Sequence, residues 1–173
     1  AIRTGTRWRS PSPDDPREQG RVPGFVDVPS IVAAAAALEA VEAERAAEAP
    51  RLRALVDRVR SRVPELVPGT VVLGDPADRL PHVVTFSCLY VDGEALLDAL
   101  DREGLALSSG SSCVADVLEP SHVLAAMGAL TQGNLRVSLP YGVREDDVDR
   151  LLAVLPGVVA RVRAVLGAEG LIT

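Results

Sequence analysis

Cys113 stands in the run Leu107–Met127, LSSGSSCVADVLEPSHVLAAM, directly behind Ser108, Ser109, Gly110, Ser111 and Ser112. A thiol reacts as its thiolate, and small neighbours let a reactant approach it without steric cost. Flanking hydroxyls and backbone amides can hydrogen-bond to the thiolate and favour it. A cysteine framed this way is presented rather than packed, although a serine-rich loop with an incidental cysteine has the same composition. Arg136 is the second residue with chemistry in it. It lies in NLRVSLP, Asn134–Pro140, alternating with Leu135 and Val137. A guanidinium in an apolar strand is costly to bury unless a carboxylate meets it, and its planar fork suits bidentate recognition of an α-carboxylate. An internal ion pair or an exposed edge position also accounts for it. The third feature is an absence: all 18 basic residues are arginine, so the chain has no lysine amine with which to form a Schiff base.

The elements that must position these residues follow from periodicity and turn chemistry. Ala1–Gly24 is rich in proline and polar residues and reads as loop. From Val28 to about Arg62, apolar residues at 31, 38, 41, 52, 55, 56 and 59 fall near a helical period, with Pro50 expected to kink or divide the helix. Thr70–Leu73, Val83–Val91, Leu105–Ser108 and Asn134–Leu139 read as four strands. Asp92 is a plausible N-cap for a helix from Glu94 to about Glu103. The cysteine loop Ser109–Glu119 runs into a short helix, Ser121–Met127, that ends at Gly128. An amphipathic helix over Arg144–Leu166 follows, with Glu145, Asp146 and Asp147 at its positive end. Strands interleaved with helices, without a nucleotide-type glycine loop, predict an α/β two-layer domain with helices over a small sheet.

Composition narrows the function classes. With 173 residues and 47% hydrophobic content, one domain with a real core is expected. The net charge of −6 argues against nucleic acid as the main partner, and the 3% aromatic content leaves few rings on which bases could stack. No apolar run approaches the roughly 18 residues of a membrane span, and no basic-then-apolar signal opens the chain. The two cysteines do not make a disulfide framework. Cys88, inside VVTFSCLYV, is expected to be a buried small hydrophobe, with a Cys88–Cys113 disulfide as the alternative. His82 reads as a loop or core histidine. His122, which opens the helix after the cysteine loop, could stabilise a thiolate or lie on the helix surface. Two histidines and two distant cysteines form no metal-ligand pattern. The cytoplasm is the default compartment.

The cysteine loop with LEPSHVLAAMG, followed by NLRVSLP, resembles the C-terminal small domain of cysteine desulfurases, the pyridoxal-phosphate enzymes of the class V aminotransferase family. The resemblance extends over nearly the whole chain, about Ala1 to Leu166. It implies the small domain of a fold-type I pyridoxal-phosphate transferase, a small, mainly antiparallel sheet covered by helices. Residues 1–27 would be the segment at the cofactor phosphate and dimer region, 28–173 the small domain, and the cofactor lysine would belong to a large domain outside this chain. By resemblance, Cys113 is the nucleophile that takes sulfur from L-cysteine as a persulfide, leaving alanine, and passes it to an acceptor protein. Arg136 grips the substrate carboxylate, and Ser109, Gly110 and Ser111 shape the loop. Arg21 and Gly24 are the residues left to meet the cofactor phosphate, and a homodimer is implied.

Some residues depart from the family pattern. Phe25 stands where the family usually has the threonine that bonds the phosphate, and phenylalanine offers no such bond. Asp14-Asp15-Pro16 replaces expected glycines. Val114-Ala115-Asp116-Val117 replaces small hydroxyl residues, and Asp116 would raise the thiol pKa if close to it. Three other readings stay open: another class V lyase or aminotransferase of the selenocysteine lyase kind, a non-catalytic sulfur-carrier or dimerisation module that has lost the cofactor, and a structural domain whose thiol is inert.

Overall fold

Alternation decides the sheet. In Val83–Cys88 (β2) and Asn134–Ser138 (β3), every second side chain is apolar enough to seek the core. A computed structural model describes residues 3–7, 9, 17, 21, 24–109, 121–168 and 171. In it, Thr70–Leu73 (β1), β2 and β3 form an antiparallel sheet in the order β1-β2-β3. The register sets Val72 opposite Phe86, Val84 opposite Val137 and Phe86 opposite Leu135 on one face. Thr85 and Arg136 are opposite each other on the other face.

The helices are α1 (Val28–Leu66), α2 (Gly93–Arg102), α3 (His122–Ala126) and α4 (Glu145–Val165). The described residues fall into two units, Ala1–Arg45 and Ala46–Thr173. In the second unit Leu52, Leu55, Val56, Val59 and Val63 of α1 join Phe86, Leu135 and the apolar stripe of α4 in one buried core. At about 25 cal/mol per Å² of apolar surface removed from water, this burial is the main driving force for the unit. In the first unit Val28, Ile31, Val32, Leu38 and Val41 are all exposed.

The predicted caps are in place. Asp92 accepts a hydrogen bond from the Ala95 amide at 2.8 Å. Glu145, Asp146 and Asp147 occupy the first turn of α4, where Asp147 accepts from the Arg144 amide at 3.1 Å. Two expectations are corrected. Leu105–Ser108 is not a strand: among the described residues, only Ser108 bridges to Arg136. Gly104, at φ +75°, closes α2 with a turn in which the Leu105 amide donates to the Leu100 carbonyl at 3.0 Å, so the helix end takes the donor a ladder would need. α1 also continues through Pro50 as one helix. Pro50 is exposed, so the carbonyl deprived of its intrahelical donor can turn to water.

The loop before α4 is tied to α1 by charge. The Arg51 guanidinium donates twice to Glu48, at 2.6 and 2.7 Å, and once to the Val143 carbonyl at 2.8 Å. Glu48 also accepts from the Gly142 amide at 3.2 Å. The Arg51 hydrogen bonds hold the Glu48 carboxyl down to about 2, against an ordinary 4.5. A lowered folded-state pKa contributes stability that is complete above the unfolded value and is lost as pH falls towards the folded one. Acid unfolding of Glu48→Gln should therefore lose part of its pH dependence between pH 4.5 and about 2. An unchanged acid limb in denaturant titrations would refute this. Gly133 gives a second prediction. Its φ is +62°, and a Cβ there would lie 2.2 Å from the Cys88 carbonyl oxygen and 2.9 Å from that of Val91. Gly133→Ala should lose at least about 2 kcal/mol of stability, read from the denaturation midpoint.

Candidate functional site

The sheet face that carries Arg136 is the one turned away from the core. β3 alternates buried Leu135 and Val137 with exposed Arg136 and Ser138. The Arg136 amide donates to the Ser108 carbonyl at 2.6 Å, and the Ser108 amide donates back to the Arg136 carbonyl at 3.2 Å. This pair of bonds fixes the point where the chain leaves for the cysteine segment. Ser109 follows, nearly fully buried. The chain is described again from Ser121, whose hydroxyl caps α3 through the Leu124 amide. Beyond α3, the Leu130 carbonyl accepts from the Ser87 hydroxyl at 3.1 Å, which ties that segment back to β2.

Ser121, Leu124, Met127 and Arg136 share an open cleft of about 380 Å³ with Thr85, Val83, Leu80, Arg60 and Arg79. Both ends of the cysteine segment are thus tied to this region: Ser108 pairs with Arg136, and Ser121 lines the cleft. Cys113, Gly110 and Ser111 lie outside the described residues. Among the described residues no carboxylate pairs with Arg136, so the ion-pair reading of that arginine finds no partner. An exposed arginine that lines a cleft can meet a carboxylate from outside.

The other candidates do not line this cleft. Arg21 is exposed in a turn, and Gly24 adopts φ +86°, where an added Cβ would meet open space. Both belong to the first unit, as does Phe25, which is 96% exposed and lies 5.0 Å below the Arg17 guanidinium. His82 is half-buried, and His122 is the exposed first residue of α3. Among the described residues no group of three His, Cys, Asp or Glu could hold a metal ion. Among the described residues no helix is long and apolar enough to cross a membrane.

Sequence reasoning missed Arg60 and Arg79. Neither sits in a motif. Arg60 is one of many arginines on α1, and Arg79 lies in the β1–β2 connection. Their meeting depends on how α1 packs under that connection, where Arg60 donates to the carbonyls of Leu73 at 3.0 Å and Gly74 at 3.3 Å.

With this geometry in view, likenesses to known proteins become informative. Residues 18–151 match the family Aminotransferase class-V. The chain belongs to the class-V aminotransferase family. It is 36% identical over 165 residues to a cysteine desulfurase of Gluconacetobacter diazotrophicus, covering 94% of this chain and 41% of that protein. It is 35% identical to the cysteine desulfurase NifS of Azotobacter vinelandii, covering 95% of this chain and 42% of that one. The solved structure of a NifS-like protein superposes with a TM-score of 0.78 at 27% identity, over 92% of this chain and 41% of that chain. A NifS-like protein from Rickettsia africae shares the fold with a TM-score of 0.71 at 19% identity, over 82% of this chain and 37% of that one. The chain therefore spans about two fifths of the length of the relatives it matches.

In this class-V chain, Cys88 is a core residue, as its apolar run predicts. It is 1% exposed, its thiol is free, and the Thr70 hydroxyl lies 3.4 Å from its sulfur. Burial pushes the Cys88 thiol up, only partly offset by the Thr70 hydroxyl and the charge of Arg163. In Cys113→Ser, iodoacetamide at pH 8 should therefore leave the folded protein unlabelled and add one label after unfolding, as read by mass spectrometry. Rapid labelling of Cys88 in the folded state would refute its burial.

Proposed function

We propose that this chain is the C-terminal part of a cysteine desulfurase. Sulfur leaves L-cysteine and ends on Cys113 as a persulfide, alanine is the co-product, and an acceptor protein takes the sulfur. The observation that carries the reading is Arg136: an exposed guanidinium with no carboxylate partner among the described residues, hydrogen-bonded through its backbone to Ser108 at the entry to the Cys113 segment. The likeness to cysteine desulfurases of 35% and 36% identity supports the choice of substrate.

In this proposal Arg136 binds and orients the substrate carboxylate through two parallel hydrogen bonds. Ser109, Gly110 and Ser111 shape the segment that carries the nucleophile. The Cys113 thiolate forms a sulfur–sulfur bond as the substrate's carbon–sulfur bond breaks, and the carbon left behind takes up a proton, giving alanine. The lack of any lysine means that the chain's residues offer pyridoxal phosphate no covalent anchor. The large domain of the same protein is proposed to hold the cofactor, with Arg21 and the Gly24 backbone as this chain's contributions at the phosphate. Pyridoxal phosphate, when bound, supplies the electron sink that lets the carbon–sulfur bond break. The segment 1–27 and the domain 28–173 are taken as the family's units. The exposed Val28, Ile31, Val32, Leu38 and Val41 support cover by that large domain and by a second subunit of a homodimer. A persulfide carrier needs a reduced thiol, which supports the cytoplasm as its compartment.

Phe25 favours one rival. Its exposed ring, with Arg17 above it, supplies no hydrogen bond to a phosphate. This suits a sulfur-carrier or dimerisation module that has lost the cofactor.

The test uses the whole natural protein. Cys113→Ser should abolish both the one-sulfur mass increase of this segment and sulfide release from L-cysteine, and release at full rate would sink the assignment. Arg136→Ala should raise KM for L-cysteine about 10- to 100-fold, the loss of a charge-assisted contact of about 1.5–3 kcal/mol. Arg136→Lys should recover only part of that, because an ammonium cannot reproduce the fork. Borohydride reduction followed by mass spectrometry separates the rivals. A pyridoxyl-lysine outside this segment supports the enzyme, and its absence supports the module.

A further inference from the structure

We propose that Arg60 and Arg79 form an anion subsite in the cleft beside β2, distinct from Arg136, which takes a small oxyanion carrying an apolar group. The Arg79 side chain is only 8% exposed, yet it lines the cleft. Its Nε donates to the Pro76 carbonyl at 3.2 Å and its Nη2 pairs with Asp57, while Nη1 is buried with no hydrogen-bond partner among the described residues. A buried guanidinium N–H without an acceptor is a standing cost that a bound oxyanion would remove.

Arg60 lines the same cleft, with its Nη atoms on the carbonyls of Leu73 and Gly74. Burial and the nearby charge of Arg79 both disfavour its charged form, so the two cations are close enough to repel. Two carboxylates stand near them, and both favour the charged form of Arg60. Asp57 is taken by Arg79, and Asp75 accepts from the amides of Ala77 at 2.7 Å and Asp78 at 2.8 Å. An anion between the two guanidiniums would relieve their repulsion and complete the donors of Arg79 together.

The rest of the lining decides what the anion is attached to. Leu73, Leu80, Val83, Val84 and Met127 are apolar. A cleft of about 380 Å³ is of a size that takes a small molecule. The class of ligand is thus a carboxylate or sulfate with a short apolar body. Neither Cys113 nor the proposed role of Arg136 is needed for this inference.

Hexanoate serves as the probe, titrated calorimetrically into the whole natural protein, with hexanamide as its uncharged counterpart. Saturable hexanoate binding at millimolar Kd is expected, with hexanamide at least about tenfold weaker. Arg60→Gln should weaken hexanoate about tenfold or more, and Arg136→Gln should leave it within about twofold. Arg79→Gln should act like Arg60→Gln where its thermal midpoint shows that it folds, and Arg60→Gln alone decides if it does not. The proposal is overturned if no saturable binding occurs, if hexanamide binds equally well, or if Arg60→Gln has no effect. It is also overturned if Arg136→Gln alone abolishes binding; the anion would then sit on Arg136, and the reading of that residue as a carboxylate clamp would stand.

Discussion

The pairing of β2 with β3 in one register is the constraint on which both the core and the site depend. Val84 against Val137 and Phe86 against Leu135 point inward, so Thr85 and Arg136 must point outward. A slip of one residue would bury the guanidinium and expose two apolar pairs at once. The register is held at its end by Gly133, whose carbonyl accepts from the Cys88 amide at 2.8 Å at a place with no room for a side chain. Core packing therefore does more than stabilise: it aims Arg136 at the cleft and brings Ser108, at the start of the cysteine segment, against the same strand.

Much of this was legible because the physical signals are local. The alternation in Val83–Cys88 and Asn134–Ser138, the Asp92 cap and the acidic first turn of α4 each rest on a few neighbouring residues. Where local reading failed, a competing local bond won. Leu105 has strand character, but its amide is committed to the end of α2 through the Gly104 turn. Pro50 looks like a helix breaker, yet α1 carries it on an exposed face. The cleft arginines were not legible at all, because Arg60 and Arg79 are brought together only by the packing of α1 under the β1–β2 connection. The proposed nucleophile was legible in residue type alone: Cys113 stands out in the sequence but lies outside the described residues.

The two cysteines illustrate how environment assigns chemistry to one residue type. Cys88 lies on the buried face of β2, and its charged form is disfavoured by desolvation, so it contributes volume to the core rather than reactivity. Cys113 has serine and glycine neighbours in the sequence instead of valine and phenylalanine; of the described residues that flank its segment, Ser108 bridges to β3 and Ser121 lines the cleft. The same sheet offers one face to packing and the other to solutes, and Cys88 belongs with the first.

A helix usually hides its apolar stripe, and α1 does so only from Leu52 onward. Earlier along the same helix, Ile31, Val32, Leu38 and Val41 recur near the helical period and are exposed. Such a pattern is costly in water unless another surface completes it. The lack of a lysine makes a parallel demand on the chemistry, since a cofactor held through a Schiff base must find its amine on a different stretch of protein. Both arguments, one from packing and one from reactivity, lead to the same requirement. In the proposed desulfurase this domain supplies the sulfur-accepting thiol and the carboxylate clamp, and a neighbouring domain supplies the amine and the surface that buries the first turns of α1.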